Sequence, residues 1–478
     1  MDGLMRTLGY YLATALAVGA VFAAAQTVES RIHGPARVAA GYTVSVGMLL
    51  AVTALVRPPT GPVRAAGRRV SLPTLLVVAS LLLLFDLFAK KFGAYLNVQR
   101  RSPPTLPLTV VVAGWIVLVA RTRWRGATPG RVALAMTWLV VGSRVLVLLV
   151  CPFDRLPGDM LETIDRSLDL LLAGRFPYVN FPPPMPYLPG MFLVYLPPKL
   201  LGFDLRLSNL VLDGATAWLA VRLASGAGDT HRVLREAPVG WVLLPLLMLH
   251  PTWVYDAVNT QFSPTLFTTL LLARALSGAS PRLQGASLGL AVGCNQMLAA
   301  IGPIALIHWL ARFGLRPAVA ATLAAVGVFL AMIGTFLIWD ARGFLAIAFA
   351  ERVHFGPELM AGRLTLLPAA EALISNASGI LTLLALVLGA LAAWRAPSGL
   401  EATGAMAVTL CATLLVQPLS FAHYFLPALV LAAGATPVDE ADSSQYTPHA
   451  ARSRSLESSR LEDNGGHSAL LARSPWIP

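Results

Sequence analysis

Carboxylate and guanidinium side chains are concentrated in one stretch of this chain, between Asp154 and Gly190. The stretch carries five acids against three bases, whereas the whole chain has a formal charge of +12. A carboxylate beside apolar groups has a raised pKa and can take a proton from a hydroxyl group, which is general-base chemistry. The acids of the stretch are Asp154, Asp159, Glu162, Asp165 and Asp169, and the first four are the candidates for this chemistry.

The same acids also have a purely structural interpretation. Pro157 and Gly158 indicate a turn, and the apolar residues after Asp159 recur at helical spacing until Gly174, which is expected to end the helix. Asp159 would then be the N-cap of an amphipathic helix lying in the outer membrane interface, and Glu162 would complete a capping box. The spacing alone leaves both roles of Asp159 open, helix cap and proton acceptor.

Arg144 is the cation that could stabilise a leaving phosphate at this membrane depth. It lies in the apolar run Val132–Cys151, about 18 Å along the helix from the start of the run. A charge this deep is costly unless it is paired. Two roles stay open, an ion pair with an acidic residue of the loop or binding of phosphate through charged hydrogen bonds. Asp213, in a later apolar run, is expected to make a polar contact between helices.

The elements that must position these residues are membrane helices. Hydrophobic residues make up 56% of the chain and charged residues 13%, and the mean hydropathy is +0.68, which excludes an ordinary soluble domain. Apolar runs of membrane-spanning length recur from Leu8 to Ala433 and predict about 12 to 14 spans. Only helices satisfy their backbone groups in such spans, so the predicted fold is all-α, a polytopic transmembrane helical bundle.

Clustered arginines orient the chain. Under the positive-inside rule, two arginine-rich loops are cytoplasmic: Arg57, Arg64, Arg68 and Arg69 in one, and Arg121, Arg123, Arg125 and Arg131 in the other. The run Val132–Cys151 then points outward and the acidic loop lies on the outer face. Proline-rich Pro186–Leu201 is expected to be a short interfacial or re-entrant segment, since a full span would put Arg222 outside. Arginines in short loops suit lipid headgroups rather than nucleic acid.

Three regions follow from these patterns. Residues 1–131 are predicted to form an N-terminal module of four spans, and residues 132–435 the main membrane domain with its outer loop at 152–206. Residues 436–478 are rich in Ser, Arg and acids without periodicity, so a disordered cytoplasmic tail is expected. Within the main domain, Gly285–Leu310 is too long for one ordinary span and is predicted to be a hairpin of two short helices.

Three features of the outer loop carry a family resemblance: Asp159 soon after an outgoing helix, the phrase LLAGRFPY at Leu171–Tyr178, and proline-rich Pro184–Pro189. The loop resembles the first outer loop of the GT-C glycosyltransferases, most closely the polyprenyl-phosphate-mannose-dependent branch, glycosyltransferase family 87. The stretches HPTWVYDAVNTQFSP, GLAVGCNQMLAAIGPIALI and SFAHYFLPALVL are similar to that family's outer turn, helical hairpin and last helix. The resemblance covers roughly Val132 to Ala433.

The chain departs from the family pattern in two places. The acidic loop follows the fifth predicted span here, whereas in the family it usually follows the first, so the four preceding spans would be an added module. Asn295 and Gln296 stand where the family's hairpin often has a lysine, which removes one expected contact to phosphate.

The resemblance implies a GT-C-like bundle whose outer-face loop contains interfacial helices. It implies that Asp159 is the catalytic base, with Asp154, Glu162 and Asp165 as alternatives. The candidate contacts to donor phosphate or acceptor are Arg144, Arg352, His354, His423 and Tyr424. An interfacial aromatic belt is the alternative role for the His-Tyr pair.

The predicted function is transfer of a sugar, mannose by the resemblance, from a polyprenyl-phosphate donor to a hydroxyl of a lipid or glycan acceptor. The site would face outward from a bacterial plasma membrane, among membrane lipids, and direct attack with loss of phosphate predicts inversion. No cofactor or metal ligand is assigned, and a need for a divalent metal is left open. The alternative is a polytopic transporter or lipid flippase, a class that usually shows internal repeats, of which the sequence has no evident trace.

Overall fold

The computed structural model describes residues 129–150, 160–178, 185, 187–224, 244, 248, 262–350, 377–396, 398–416, 424 and 426–435. All of them belong to one compact unit, Met1–Thr436. A second unit, Pro437–Pro478, lies outside the described residues. The predicted tail at 436–478, and all but the last three residues of the predicted four-span module, therefore also lie outside them.

The described residues form twelve α-helices and no strand, which confirms the all-α prediction for this part of the chain. A 3₁₀ turn covers Gln296–Ile301 and a π turn covers Ala346–Ala350. The helices are α1 (Pro129–Val150), α2 (Met160–Leu172), α3 (Pro189–Leu193), α4 (Leu196–Leu200), α5 (Arg206–Ala224), α6 (Phe262–Leu276), α7 (Pro281–Cys294), α8 (Gly302–Phe313), α9 (Leu315–Leu345), α10 (Ala377–Arg395), α11 (Gly399–Leu415) and α12 (Leu426–Gly434).

Three of these segments are long and apolar enough to cross a membrane. They are Gln296–Phe313, which includes α8, Leu315–Ala348, which includes α9, and Ser378–Arg395 in α10. Large apolar side chains stay exposed on them, such as Ile338 at 89%, because in a bilayer that surface faces lipid rather than water. The chain is therefore a multi-pass membrane protein.

The predicted hairpin at Gly285–Leu310 is present as α7, the 3₁₀ turn and α8. The backbone leaves the helical conformation at Asn295, whose side chain accepts a hydrogen bond from the amide of Met297 at 3.0 Å and so begins the turn. The predicted pair of short helices is thus confirmed, with Asn295 at the break.

Glycines hold α7 against α9. A Cβ added to Gly285 or Gly289 would collide with the backbone of Ala321 or Ala325, and one added to Gly293 would lie 2.6 Å from Met332 Sδ. Small residues four apart let helices approach backbone to backbone, which is a common way to pack helices in lipid. The pairing also shows that α7 and α9 run parallel, with their N-termini at the same end of the bundle.

The acidic loop region forms a cap of short helices, α2 to α4, at the opposite end. Helices α3 and α4 have five residues each, far short of the roughly 20 that span a bilayer, in agreement with the prediction that this proline-rich segment forms no straight span. Helix α9 reaches this cap through a break at Asp340, where φ is −154° and ψ is 90°. The Asp340 carboxylate accepts a hydrogen bond from the amide of Gly343 at 2.9 Å, so it caps the last turn of α9.

Candidate functional site

Helix α2 is the amphipathic helix that the sequence predicts. Its apolar side chains Leu161, Ile164 and Leu168 are fully buried, whereas Glu162 and Arg166 are exposed. Gly174 takes a φ of +68° just after the helix, and the amide of Arg175 donates to the carbonyl of Leu170 at 2.8 Å. A left-handed glycine is the usual way to end a helix, so the predicted end is confirmed.

The acidic side chains of α2 are all engaged by bases. Glu162 pairs with Arg166 one turn along the helix. Asp165 and Asp169 both accept from the ammonium group of Lys199 in α4, with Oδ1 to Nζ distances of 2.6 Å and 2.7 Å. Partial burial lowers the pKa of Lys199, but its hydrogen bonds to the two carboxylates and their negative charge outweigh this and raise the pKa above 10.5. Lys199 therefore stays charged and holds Asp165 through Oδ1.

An aromatic cluster attaches the cap to α9. Tyr178 lies at its centre, with ring centroids 4.8 Å from Phe344, 5.6 Å from Phe336 and 6.0 Å from Phe192, all in edge-to-face geometry. Its hydroxyl donates to the carbonyl of Tyr187 at 2.7 Å, and burial raises the pKa of Tyr178 well above 10.0. The phrase LLAGRFPY, which carries part of the family resemblance, thus ends a helix and anchors the cap by packing.

Five of the predicted site residues lie outside the described residues: Asp154, Asp159, Arg352, His354 and His423. The described chain resumes at Met160, which directly follows Asp159 and is the first residue of α2. The cap role and the base role of Asp159 therefore both stay predictions.

Arg144 is fully buried and its carboxylate partner is Asp213 of α5. Its Nε donates to Asp213 Oδ2 at 2.8 Å, and its Nη1 donates to Ser143 Oγ at 2.9 Å and to the carbonyl of Met248 at 2.6 Å. Both side chains of the pair are 0% exposed. The expected ion pair with an acidic residue of the loop is wrong, whereas the expected helix–helix contact of Asp213 is confirmed.

Close packing of α1 on α5 explains this partner. A Cβ added to Gly214 would lie 2.8 Å from Val141 Cγ2, so the glycine lets the two helices approach where Arg144 and Asp213 face each other. Two atoms of the pair, Arg144 Nη2 and Asp213 Oδ1, have no hydrogen-bond partner among the described residues. A buried pair that is only half satisfied is weakly stabilising at best, but losing one partner is very costly.

A second buried polar contact lies beside this pair and was missed from the sequence. The Tyr195 hydroxyl donates to Asn209 Oδ1 at 2.7 Å. Burial raises the pKa of Tyr195 strongly, and the nearby charge of Asp213 raises it further. Asn209 and Asp213 are both fully buried and are four residues apart on α5. The sequence signal for this buried polar site is the spacing of Asn209 and Asp213, because polar residues at i and i+4 in an apolar run share one helix face.

Tyr424 contacts another helix of the bundle, α6. Its ring packs on Phe262, the first residue of α6, with centroids 6.0 Å apart, and α12 begins two residues later. Arg144 instead lies between α1, α5 and Met248. The two predicted phosphate or acceptor contacts that are described are thus attached to different helices.

An open cavity of about 360 Å³ lies between α1 and α5, lined by residues that include Val141, Gly214 and Trp218. None of the described residues that line it is titratable, so these residues offer room for apolar groups and none of the proton chemistry that the sequence predicts. Within the described ranges, no three His, Cys, Asp or Glu side chains are grouped as metal ligands would be.

No family model matches the chain, and no curated protein and no solved structure matches it either.

Proposed function

We propose that the protein is a membrane glycosyltransferase of the GT-C kind, acting at the outer face of a bacterial plasma membrane. It moves a sugar, mannose by the sequence resemblance, from a polyprenyl-phosphate donor to a hydroxyl of a lipid or glycan acceptor. Within this proposal the bundle has about 12 to 14 spans and the cap of α2 to α4 forms its outer-face loop.

One observation carries the proposal: the acidic amphipathic helix α2 lies over the aromatic cluster at the end of α9, a helix of membrane-spanning length. In this proposal the polar side chains of α2 lie at the membrane surface, at the depth of the sugar of a lipid-linked donor. Phe176 and Trp339 contact each other at the edge of this cluster with centroids 5.7 Å apart, and Trp339 is 43% exposed. A partly exposed tryptophan is typical of the membrane interface.

The ion pairs of α2 support Asp159 as the base. Glu162 pairs with Arg166, and Asp165 and Asp169 share Lys199, so each of these acids is held by a cation. Asp159 directly precedes the first residue of α2 and lies on the same outer loop. It is the acid that the family resemblance assigns as the base, which is the role proposed for it.

The proposed reaction is a single displacement. The acceptor oxygen attacks the anomeric carbon, the bond from that carbon to the phosphate oxygen breaks, and polyprenyl phosphate leaves with the electron pair. The proton of the acceptor hydroxyl passes to the Asp159 carboxylate. Attack from the face opposite the leaving group inverts the anomeric configuration.

The test is Asp159→Asn, which should insert into membranes normally and lose sugar transfer from polyprenyl-phosphate-mannose. A missing general base typically costs about 10²- to 10⁴-fold in rate. Transfer is measured as radiolabelled mannose reaching a product resistant to mild acid, and the anomeric configuration of the product is read by NMR. The matched control is Asp169→Asn, because this acid lies on the same loop and is 62% exposed. It should keep transfer within about twofold.

Full transfer by Asp159→Asn would exclude it as the base, and the same assay on Asp154→Asn then tests the alternative acid. A product with retained configuration would exclude the single displacement.

One feature, a buried ion pair, favours the alternative function of a transporter. Arg144 and Asp213 are fully buried between helices, and ionisable groups within membrane helices often lie on transport pathways. Purified protein in vesicles separates the two functions. Movement of intact polyprenyl-phosphate-mannose across the bilayer without sugar transfer would favour the transporter, and transfer without movement would favour the enzyme.

A further inference from the structure

Five exposed arginines lie at the end of the bundle opposite the cap. They stand at helix ends rather than within helices: Arg274 in the last turn of α6, Arg282 at the start of α7, Arg312 in the last turn of α8, Arg316 at the start of α9 and Arg395 at the end of α10. Such an arrangement places the charges at one level, which is where a membrane surface would be.

Helix contacts join these arginines into one surface. The start of α11 packs on the end of α6, since a Cβ added to Gly399 would collide with the carbonyl of Leu276. This brings Arg395, four residues before Gly399, to the end of α6 that carries Arg274. Gly285 of α7 packs on Ala321 of α9, which brings Arg282 and Arg316 together at the N-termini of two parallel helices.

Tight turns keep the remaining charges nearby. Only Gly314, with a φ of +81°, separates α8 from α9, so Arg312 and Arg316 lie on either side of one sharp turn. Arg274 lies at the turn between α6 and α7, where its Nη1 donates to Ser277 Oγ at 3.0 Å. All five arginines therefore surround the two turns and the adjoining start of α11.

Few negative charges balance this surface. Glu401, exposed in the first turn of α11, is the acid that the described residues place beside it. No described carboxylate pairs with Arg282, Arg316 or Arg395, whereas each acid on α2 at the other end is paired. Exposed Trp394 and Leu315 lie among the arginines, at 57% and 69% exposure, as expected where lipid chains meet headgroups.

We propose that this arginine surface, defined by Arg274, Arg282, Arg312, Arg316 and Arg395, binds the headgroups of anionic phospholipids in the cytoplasmic leaflet. Arg312, Arg316 and Arg395 lie within two residues of an end of the segments long enough to span the bilayer, which is headgroup depth. Guanidinium groups donate paired hydrogen bonds to phosphate oxygens, and two tight turns bring several of them within reach of one doubly charged headgroup. The proposal is independent of the glycosyltransferase function.

The experiment uses the full-length purified protein and cardiolipin, with phosphatidylcholine as the neutral reference. Lipid binding is counted by native mass spectrometry, and the melting temperature is followed as cardiolipin is added. The triple variant Arg282→Gln, Arg316→Gln, Arg395→Gln should bind cardiolipin about 100-fold more weakly, at about fivefold per arginine. The corresponding triple Lys variant should keep most of the binding, because the charge remains.

The matched control is the double variant Arg175→Gln, Arg342→Gln. These arginines are exposed at the cap end and have no described carboxylate partner either. The control should bind cardiolipin like the unchanged protein, and the triple Gln variant should melt like it in phosphatidylcholine, which excludes misfolding.

Equal cardiolipin binding by the triple Gln variant and the unchanged protein would overturn the proposal. So would equal losses per removed arginine in the triple and control variants, since the effect would then follow total charge rather than this surface. Displacement of cardiolipin by millimolar inorganic phosphate would also contradict it, because the surface would then bind any phosphate anion.

Discussion

Two charged regions of the molecule are built in opposite ways. Between α1 and α5, Arg144 and Asp213 form one ion pair with both side chains 0% exposed. On the cap, Lys199 joins Asp165 and Asp169 in a network whose three side chains are 20%, 31% and 62% exposed. Water screens the second region and not the first, so equally short contacts have very different energetic consequences.

The difference lies in what happens when a partner is lost. On the cap, water can solvate a carboxylate that loses Lys199. Between α1 and α5 no water replaces the missing charge, so the remaining ion would be buried alone. The buried pair therefore constrains which helices can pack together, whereas the cap network adjusts the position of a helix that packing already holds.

The largest effect is expected from Asp213→Ala. This change leaves the Arg144 guanidinium buried without its counter-ion and should destabilise the protein by about 4 kcal/mol. The free energy of unfolding is measured by SDS titration of the protein in mixed lipid–detergent micelles. The double variant Arg144→Met, Asp213→Leu removes both charges and should recover most of the loss, as buried pairs replaced by apolar residues often do.

The same double variant decides between the two roles of Arg144. If Arg144 serves only to pair α1 with α5, the recovered protein keeps sugar transfer. If it also binds the donor phosphate, the protein folds but transfer is lost. A cost below about 1 kcal/mol for Asp213→Ala alone would contradict the comparison, because the buried pair would then behave like a surface pair.

The next largest effect concerns the packing that holds the cap. Leu168 is fully buried in the cluster beneath α2, and Leu168→Ala should cost about 3 kcal/mol through lost contacts and the cavity left behind. Amide hydrogen exchange along α2 measures this locally, with faster exchange expected throughout the helix. The control is Leu172→Ala on the same helix, 47% exposed, with an expected change below about 0.5 kcal/mol. Equal exchange in the two variants would mean that the cluster does not hold α2.

Sequence patterns predicted what depends on neighbours along the chain. The buried face of α2 follows from the spacing of Leu161, Ile164 and Leu168, and its end follows from Gly174. The pairing of Glu162 with Arg166 could be predicted in the same way, because residues four apart share a helix face. The all-α class followed from hydropathy, since isolated strands cannot satisfy their backbones in lipid.

Partners far apart in the chain could not be predicted in this way. Asp213 is 69 residues from Arg144, and Lys199 is 34 residues from Asp165. Which of several acids meets a given base depends on how closely two helices approach, and for Arg144 that is set by Gly214 against Val141. A glycine in an apolar run signals a close approach but does not name the partner helix.

The smallest effect is expected from Lys199→Met, which removes the cation shared by Asp165 and Asp169. Exposed pairs contribute about 0.2 to 1 kcal/mol, so the loss at pH 8 should stay within that range in the SDS titration. The pKa of Lys199 is raised in the folded protein, so its contribution is complete below pH 10.5 and disappears as the pH rises through the folded value. The difference in unfolding free energy between Lys199→Met and the unchanged protein should therefore shrink towards zero in strong alkali.

Arg166→Met is the control, because the Arg166 guanidinium keeps its charge over this range and the effect of its loss should not change with pH. A Lys199→Met effect that stayed constant with pH would mean that the lysine acts through its packed methylene chain rather than its charge.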